Sequence, residues 1–116
     1  MRIGLIAGPW FPVPPPAYGG TERVVDTLAR GFAAAGEDVL LAAPSDSDCP
    51  VPRAPQMRES DSLGIGMSCS EMNHVIRAYQ AMSQMDVIHD HTFLGPLYAH
   101  RPPGVPVVTT RCKSSA

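Results

Sequence analysis

Two short apolar stretches decide the fold of this chain: RIGLIA at residues 2–7 and DVLLAA at residues 38–43. A proline follows each of them, Pro9 and Pro44, and such short apolar runs are typical of strands buried on both faces of a sheet. Between them, residues 21–35 show the spacing of an amphipathic helix. Its apolar face is expected to consist of Val24, Val25, Leu28 and Phe32. A strand, a helix and a second buried strand form a βαβ unit, so the sequence predicts an α/β fold with a parallel sheet.

The rest of the chain continues the alternation of strands and helices. Residues 45–67 are polar and rich in Pro and Gly, which predicts a long loop or a poorly ordered insertion. Ser68 and Glu71 then have the spacing of a capping box, and Thr21 is expected to cap the first helix. The further elements are expected to be a helix over 68–84, a strand over 86–90, a short helix over 95–100 and a strand over 105–110. Helices on both faces would give a three-layer domain, in which ligands bind at the carboxyl ends of the strands.

The composition excludes several classes of protein. The 116 residues fit one domain, and nine Lys and Arg against eleven Asp and Glu give a net charge of −2, without a basic cluster for nucleic acid. No apolar run reaches the roughly 20 residues of a membrane span. The apolar run at the N-terminus is too short for a signal peptide, so we expect a cytoplasmic location. The cysteines are widely spaced without a C-x-x-C, which supports neither a disulfide framework nor a zinc site: Cys49, Cys69 and Cys112.

The first candidate binding motif is a glycine pair, Gly19 and Gly20, directly before the first helix. Glycine lets the backbone approach a ligand without a Cβ in the way. Free N–H groups in the first turn of the helix, which begins with Thr21 and Glu22, favour an anion such as a phosphate, or a sugar hydroxyl. The alternative is a flexible loop that ends in an ordinary capped helix.

The second candidate is the sequence His89-Asp90-His91 at the end of a predicted strand. Residues two apart project to the same side of a strand, so the two imidazoles are expected to lie together. With the carboxylate they form an incomplete metal-ligand set, because no third histidine is close in sequence. Alternatively a histidine here binds a sugar or acts as an acid or base, or is simply half-buried and paired with backbone.

The third candidate lies in the proline-rich loop between the first strand and the first helix. Residues 15–18 fit the P-P-x-Y pattern that WW domains recognise in polyproline ligands. The alternative is a rigid loop arm over a binding site.

Together these motifs resemble the start of a family-4-like retaining glycosyltransferase. The resemblance rests on four stretches, of which the helix start GGTER and the strand end DVIHDH are the most specific: residues 1–7, 18–39, 86–91 and 106–110. It implies the GT-B architecture, in which two Rossmann-like domains face each other across a cleft. The N-terminal domain mainly forms the acceptor side, and the C-terminal domain mainly binds the nucleotide-sugar donor.

The resemblance also assigns roles to residues of this chain. Gly19-Gly20 would approach the phosphate and sugar of the donor, and Thr21 and Glu22 would begin the helix behind it. His91, and with it His89, would line the cleft, and His91 is the candidate catalytic residue. Retaining transfer in this architecture implies no metal and no cofactor besides the nucleotide sugar as co-substrate.

The chain departs from the family pattern at its C-terminal end. No histidine follows Thr110, and the resemblance implies a donor domain that these residues do not contain. We therefore expect residues 1–110 to be an incomplete N-terminal domain, inactive alone, and residues 111–116 to be a tail outside the family pattern. The strand over 105–110 would leave an open sheet edge that favours self-association. The alternative function is a non-catalytic module that binds a nucleotide or sugar phosphate and needs a partner chain.

Overall fold

The computed structural model describes residues 1–17 and 19–110. Tyr18, the last residue of the predicted WW-type motif, and the predicted tail over 111–116, including Cys112, lie outside the described residues. No helix in the described part of the chain has both the length and the apolar character needed to cross a lipid bilayer.

The centre of the protein is a four-stranded sheet in the order β2-β1-β3-β4. The strands are β1 (Arg2–Ile6), β2 (Asp38–Ala42), β3 (Val87–Asp90) and β4 (Val107–Thr109). Every neighbouring pair is parallel. The predicted α/β fold with a parallel sheet is therefore confirmed.

One long helix lies on each face of the sheet. Helix α1 (Gly20–Ala34) packs on one face and helix α2 (Ser68–Gln80) on the other, and short 3-10 turns occupy Ser62–Gly64 and Gly95–Leu97. Successive residues of a strand point to opposite faces, and the apolar core divides accordingly. The α1 side includes Ile3, Leu5, Val25, Ala29, Val39 and Leu41. The α2 side includes Ile6, Ala42, Val75, Ala78, Tyr79, Met82 and Ile88. This is the expected three-layer domain.

Several local predictions about the helices are wrong. Val24 is 43% exposed rather than part of the buried face. Helix α2 ends at Gln80, earlier than expected. The residues before the two helices are Gly19 and Met67, and neither makes a side-chain capping bond, so the caps expected from Thr21 and from the Ser68–Glu71 box do not form.

The segment over 45–67 is packed against the sheet rather than poorly ordered. Pro52 accepts a hydrogen bond from the Leu41 N–H (2.9 Å), and the Ala54 N–H donates to the Leu41 carbonyl (2.8 Å). The segment therefore covers the outer edge of β2. At the opposite edge, Val108 of β4 is 52% exposed, and no strand of the described residues pairs with the outer side of β4. The predicted open edge is present, and self-association through it stays a prediction.

Candidate functional site

A small cavity lies where β1 and β3 end and α1 begins. The His91 N–H donates to the Ile6 carbonyl (3.0 Å), which extends the ladder between these strands and places His91 beside the end of β1. Residues from both helices and from both strand ends line the cavity: Gly8, Trp10, Thr21, Glu22, Glu71, His91, Thr92 and Phe93. The structure thus brings together three of the predicted site residues, Thr21, Glu22 and His91, at the end of the sheet where α/β folds bind ligands.

The glycine pair lies at the start of α1, beside this cavity. Gly19 has a φ of 149°, and a Cβ added there would lie 2.6 Å from Glu22 Oε1 and 3.0 Å from Pro15 Cβ, so the position requires glycine. A Cβ added at Gly20 would meet no atom within 4 Å. The surface of the first turn is therefore open at Gly20, and neither glycine is among the residues that line the cavity, so their contact with a ligand stays a prediction.

Glu22 is the acidic residue of that first turn, and it is buried. Burial raises the pKa of its carboxyl group, because removal from water disfavours the charged form. The sequence indicated a carboxylate suited to the helix N-terminus, but its burial in the wall of the cavity depends on tertiary packing.

His91 is the most distinctive side chain of the site. It is 8% exposed, and within the described residues neither Nδ1 nor Nε2 has a hydrogen-bond partner. Burial lowers its pKa to about 4, so the ring is neutral at pH 7 and offers one donor and one acceptor nitrogen. Such a pair of unsatisfied buried atoms fits a ligand that carries hydroxyl groups.

His89 lies on the same side of β3 as His91, as the strand periodicity predicted. Their ring centroids are 4.1 Å apart. His89 Nε2 is hydrogen-bonded to the Thr110 hydroxyl, and burial lowers the pKa of this imidazole. His89 contacts the His91 ring but is not among the residues that line the cavity, and its place in the cleft stays a prediction.

The Asp90 carboxylate makes no hydrogen bond to His89 or His91 among the described residues. Its fully buried carboxylate accepts hydrogen bonds from the Tyr79 hydroxyl (2.5 Å), the Thr92 N–H (2.8 Å) and the Thr92 hydroxyl (2.7 Å). Tyr79 belongs to α2, on the other face of the sheet from His89 and His91. The three side chains of the His-Asp-His motif therefore do not converge on a metal ion.

Hydrogen bonds to buried acceptor groups fix the turn that follows β3. Glu71 of α2 accepts a hydrogen bond from the Leu94 N–H (2.6 Å), and the Thr92 hydroxyl accepts one from the Gly95 N–H (3.0 Å). Between these fixed points, Phe93 is 61% exposed and lines the cavity.

Sequence reasoning did not single out four of the lining residues: Trp10, Glu71, Thr92 and Phe93. The sequence signal that could have found three of them is their position in loops after the ends of strands: Trp10, Thr92 and Phe93. For Glu71 the local spacing predicts only a capping residue. Its actual partner, the Leu94 N–H, is distant in sequence, so the local pattern does not reveal it.

The cavity has a volume of about 60 Å³. Pockets for small molecules and cofactors usually measure about 300–1,000 Å³. This cavity alone is therefore too small to enclose a ligand of that kind.

The comparisons with known proteins agree with this fold. A model of the family described as Glycosyltransferase Family 4 matches residues 18–111. Among solved structures, the chain is similar to the crystal structure of AviGT4, a glycosyltransferase involved in Avilamycin A biosynthesis, with 23% identity and a TM-score of 0.61. The match covers 95% of this chain and 31% of that chain, so the sequence spans about a third of that protein's length. No curated protein matches the sequence. The structural likeness confirms the expected Rossmann-like α/β domain.

Proposed function

The chain belongs to Glycosyltransferase Family 4, and on that premise we propose that it forms the acceptor-side domain of a glycosyltransferase. The complete enzyme moves a glycosyl unit from a nucleotide sugar to a hydroxyl acceptor, with retention at the anomeric carbon and without a metal cofactor. It acts in the cytoplasm, as expected from the sequence. Residues 1–110 supply one wall of its cleft.

The observation that carries this proposal is the unpartnered imidazole of His91. A buried polar group without a partner costs about 1–3 kcal/mol, and both ring nitrogens of His91 lack one among the described residues. A hydroxyl group can donate to one of these nitrogens or accept from the other, so a hydroxylated substrate is a suitable partner for this neutral ring. The imidazole then holds and orients that hydroxyl at the carboxyl end of β3.

The start of α1 supports the binding of a phosphate group in the same cleft. The open surface at Gly20 gives an anion access to the first turn of the helix, whose N–H groups and dipole favour negative charge.

A single wall does not suffice for transfer. Catalysis of this kind requires both reactants to be held in a fixed geometry and water to be kept out. With a cavity of about 60 Å³, the 116-residue chain alone is expected to be inactive.

A chimera tests the proposal. Residues 1–110 replace the segment that they match in the avilamycin glycosyltransferase, and nucleotide release is measured with a panel of nucleotide sugars. The chimera should release nucleotide while the 116-residue chain does not, and NMR of any product should show the anomeric configuration of the donor. Glycosyl transfer by the short chain alone would refute its inactivity. An inactive chimera, together with saturable binding of a nucleotide sugar by the short chain, would favour the non-catalytic binding module instead.

A further inference from the structure

We propose that the cavity at the ends of β1 and β3 binds a protonated primary amine between the carboxylates of Glu22 and Glu71, and that the glycosyl acceptor carries this amine. The proposal rests on the proposed function and specifies its acceptor class: an amino alcohol such as an amino sugar, rather than a neutral or an anionic alcohol. The class follows from the charge, the free oxygens and the size of the cavity.

The charge of the cavity wall favours a cation. Glu22 and Glu71 both line the cavity, and they are only 7% and 6% exposed. Within the described residues, no Lys or Arg lines the cavity and neither glutamate forms an ion pair. Burial lowers the pKa of His91 to about 4, so this ring is neutral at pH 7 and supplies no positive charge. Because a buried carboxylate without a positive partner is costly, a cation that enters the cavity removes a penalty.

Both carboxyl groups keep oxygens for a ligand. Glu71 uses Oε2 to accept the Leu94 N–H (2.6 Å), and a carboxylate has about four lone-pair sites. Among the described residues, the hydrogen-bond donor that acts on the Glu22 carboxyl group is its own backbone amide. An ammonium group has three donors and no acceptor. It therefore complements two carboxylates that face one cavity, whereas a phosphate or a carboxylate ligand would be repelled.

The size and the aromatic side chains of the cavity fit an organic ammonium group. Its volume is about 60 Å³, and a water molecule takes up about 30 Å³ of the liquid. An ammonium group and the carbon that bears it fit this space, while the rest of the acceptor stays outside. Trp10 and Phe93 line the same cavity, and the face of an aromatic ring attracts a cation.

A divalent metal ion is the alternative occupant. Within residues 1–17 and 19–110, no group of three or more His, Cys, Asp and Glu side chains is placed to hold a metal ion. Ca²⁺ takes six to eight oxygen ligands, and Mg²⁺ demands a near-ideal octahedron. Two carboxylates beside two aromatic rings match an organic cation better than either ion.

Saturation-transfer NMR on the 116-residue chain at pH 7 tests the proposal. The probes are methyl glucosaminide, its N-acetyl form and methyl glucoside, because acetylation removes the charge and leaves the sugar ring in place. Methyl glucosaminide should bind saturably, and each neutral probe should bind about tenfold more weakly or not at all. Excess Mg²⁺ or Ca²⁺ should leave its binding in place.

Three variants that each remove one negative charge locate the site. Glu22→Gln and Glu71→Gln should each weaken the binding of methyl glucosaminide about tenfold. Glutamine at position 71 keeps an oxygen for the Leu94 N–H, so the turn after β3 is retained. Glu59→Gln is the matched control and should have no effect, because Glu59 is exposed and lines a different cavity. The comparison of probes on the native chain decides the question even where a variant fails to fold.

Several outcomes would overturn the proposal. These are no binding of methyl glucosaminide, equal binding of its N-acetyl form, displacement by Mg²⁺ or Ca²⁺, or an equal effect of Glu59→Gln. The proposed function is tested separately by nucleotide release from the chimera. An active chimera without amine binding leaves the proposed function standing. Amine binding that depends on Glu22 and Glu71, with an inactive chimera, leaves the ammonium site standing and refutes the proposed function.

Discussion

Gly95 is expected to be irreplaceable because it packs against the buried carboxylate of Asp90. A Cβ added at Gly95 would lie 1.8 Å from Asp90 Oδ2 and 2.5 Å from Thr92 Oγ1, both far inside van der Waals contact. These two atoms bond to Tyr79 and to the turn itself, so neither has room to withdraw. Gly95→Ala must displace them and lose at least two hydrogen bonds to or around a buried carboxylate. At about 1.5–3 kcal/mol for each bond to a charged group, the expected loss is about 3–6 kcal/mol.

Urea unfolding followed by circular dichroism measures this loss. The matched control is Gly31→Ala, since Gly31 lies within α1 and an added Cβ meets nothing within 4 Å. That variant should be more stable than the native chain by about 0.5–1 kcal/mol, because alanine favours the helix. If Gly95→Ala unfolds within about 0.5 kcal/mol of the native protein, the account of the turn is wrong.

Three further predictions follow from single residues. Burial lowers the pKa of His74 from 6.5 to about 4. Between these two pH values the unfolded chain binds more protons than the folded one. The free energy of unfolding should therefore fall as the pH drops from 6.5 to about 4. Urea midpoints measured against pH should show this fall, and His74→Asn should make it shallower without removing it, because the pKa values of His91 and His89 are also lowered by burial. Gly19→Ala should destabilise the fold, because φ is 149° there, whereas Gly20→Ala, in open space, should not; thermal melts of both variants separate the two effects. Cys69 is exposed, while Cys49 is buried with its pKa raised to about 11, so mass spectrometry after brief alkylation should find Cys69 labelled well before Cys49.

The local pattern of apolar residues is enough to predict the three-layer fold. The apolar runs over 2–7 and 38–43 are buried strands because helices cover both faces, and such strands need no alternation of polar residues. Period-two spacing also predicted that His89 and His91 lie on one side of β3, where their ring centroids are 4.1 Å apart. These features depend on neighbours in sequence, which is why the sequence predicts them.

The predictions from sequence are wrong where the surroundings of a side chain are set by residues that are distant in sequence. Glu71 looked like half of a capping box, but it accepts the N–H of Leu94 across the site. Val24 has helical spacing with Leu28, yet Val25 is buried against the sheet while Val24 is exposed. Likewise no periodic pattern marks Phe93, and its position at the cavity depends on how Asp90 and Glu71 fix the turn.

The most direct test of the central claim is the rate of nucleotide release by the chimera with and without the His91 imidazole. His91→Ala should lower this rate about tenfold or more, because the hydrogen bonds that orient the substrate are lost. His100→Ala is the control, because His100 is exposed and is not among the residues that line the cleft. It should leave the rate unchanged. A His91→Ala chimera as active as its parent would contradict the assignment of this cleft as the substrate site.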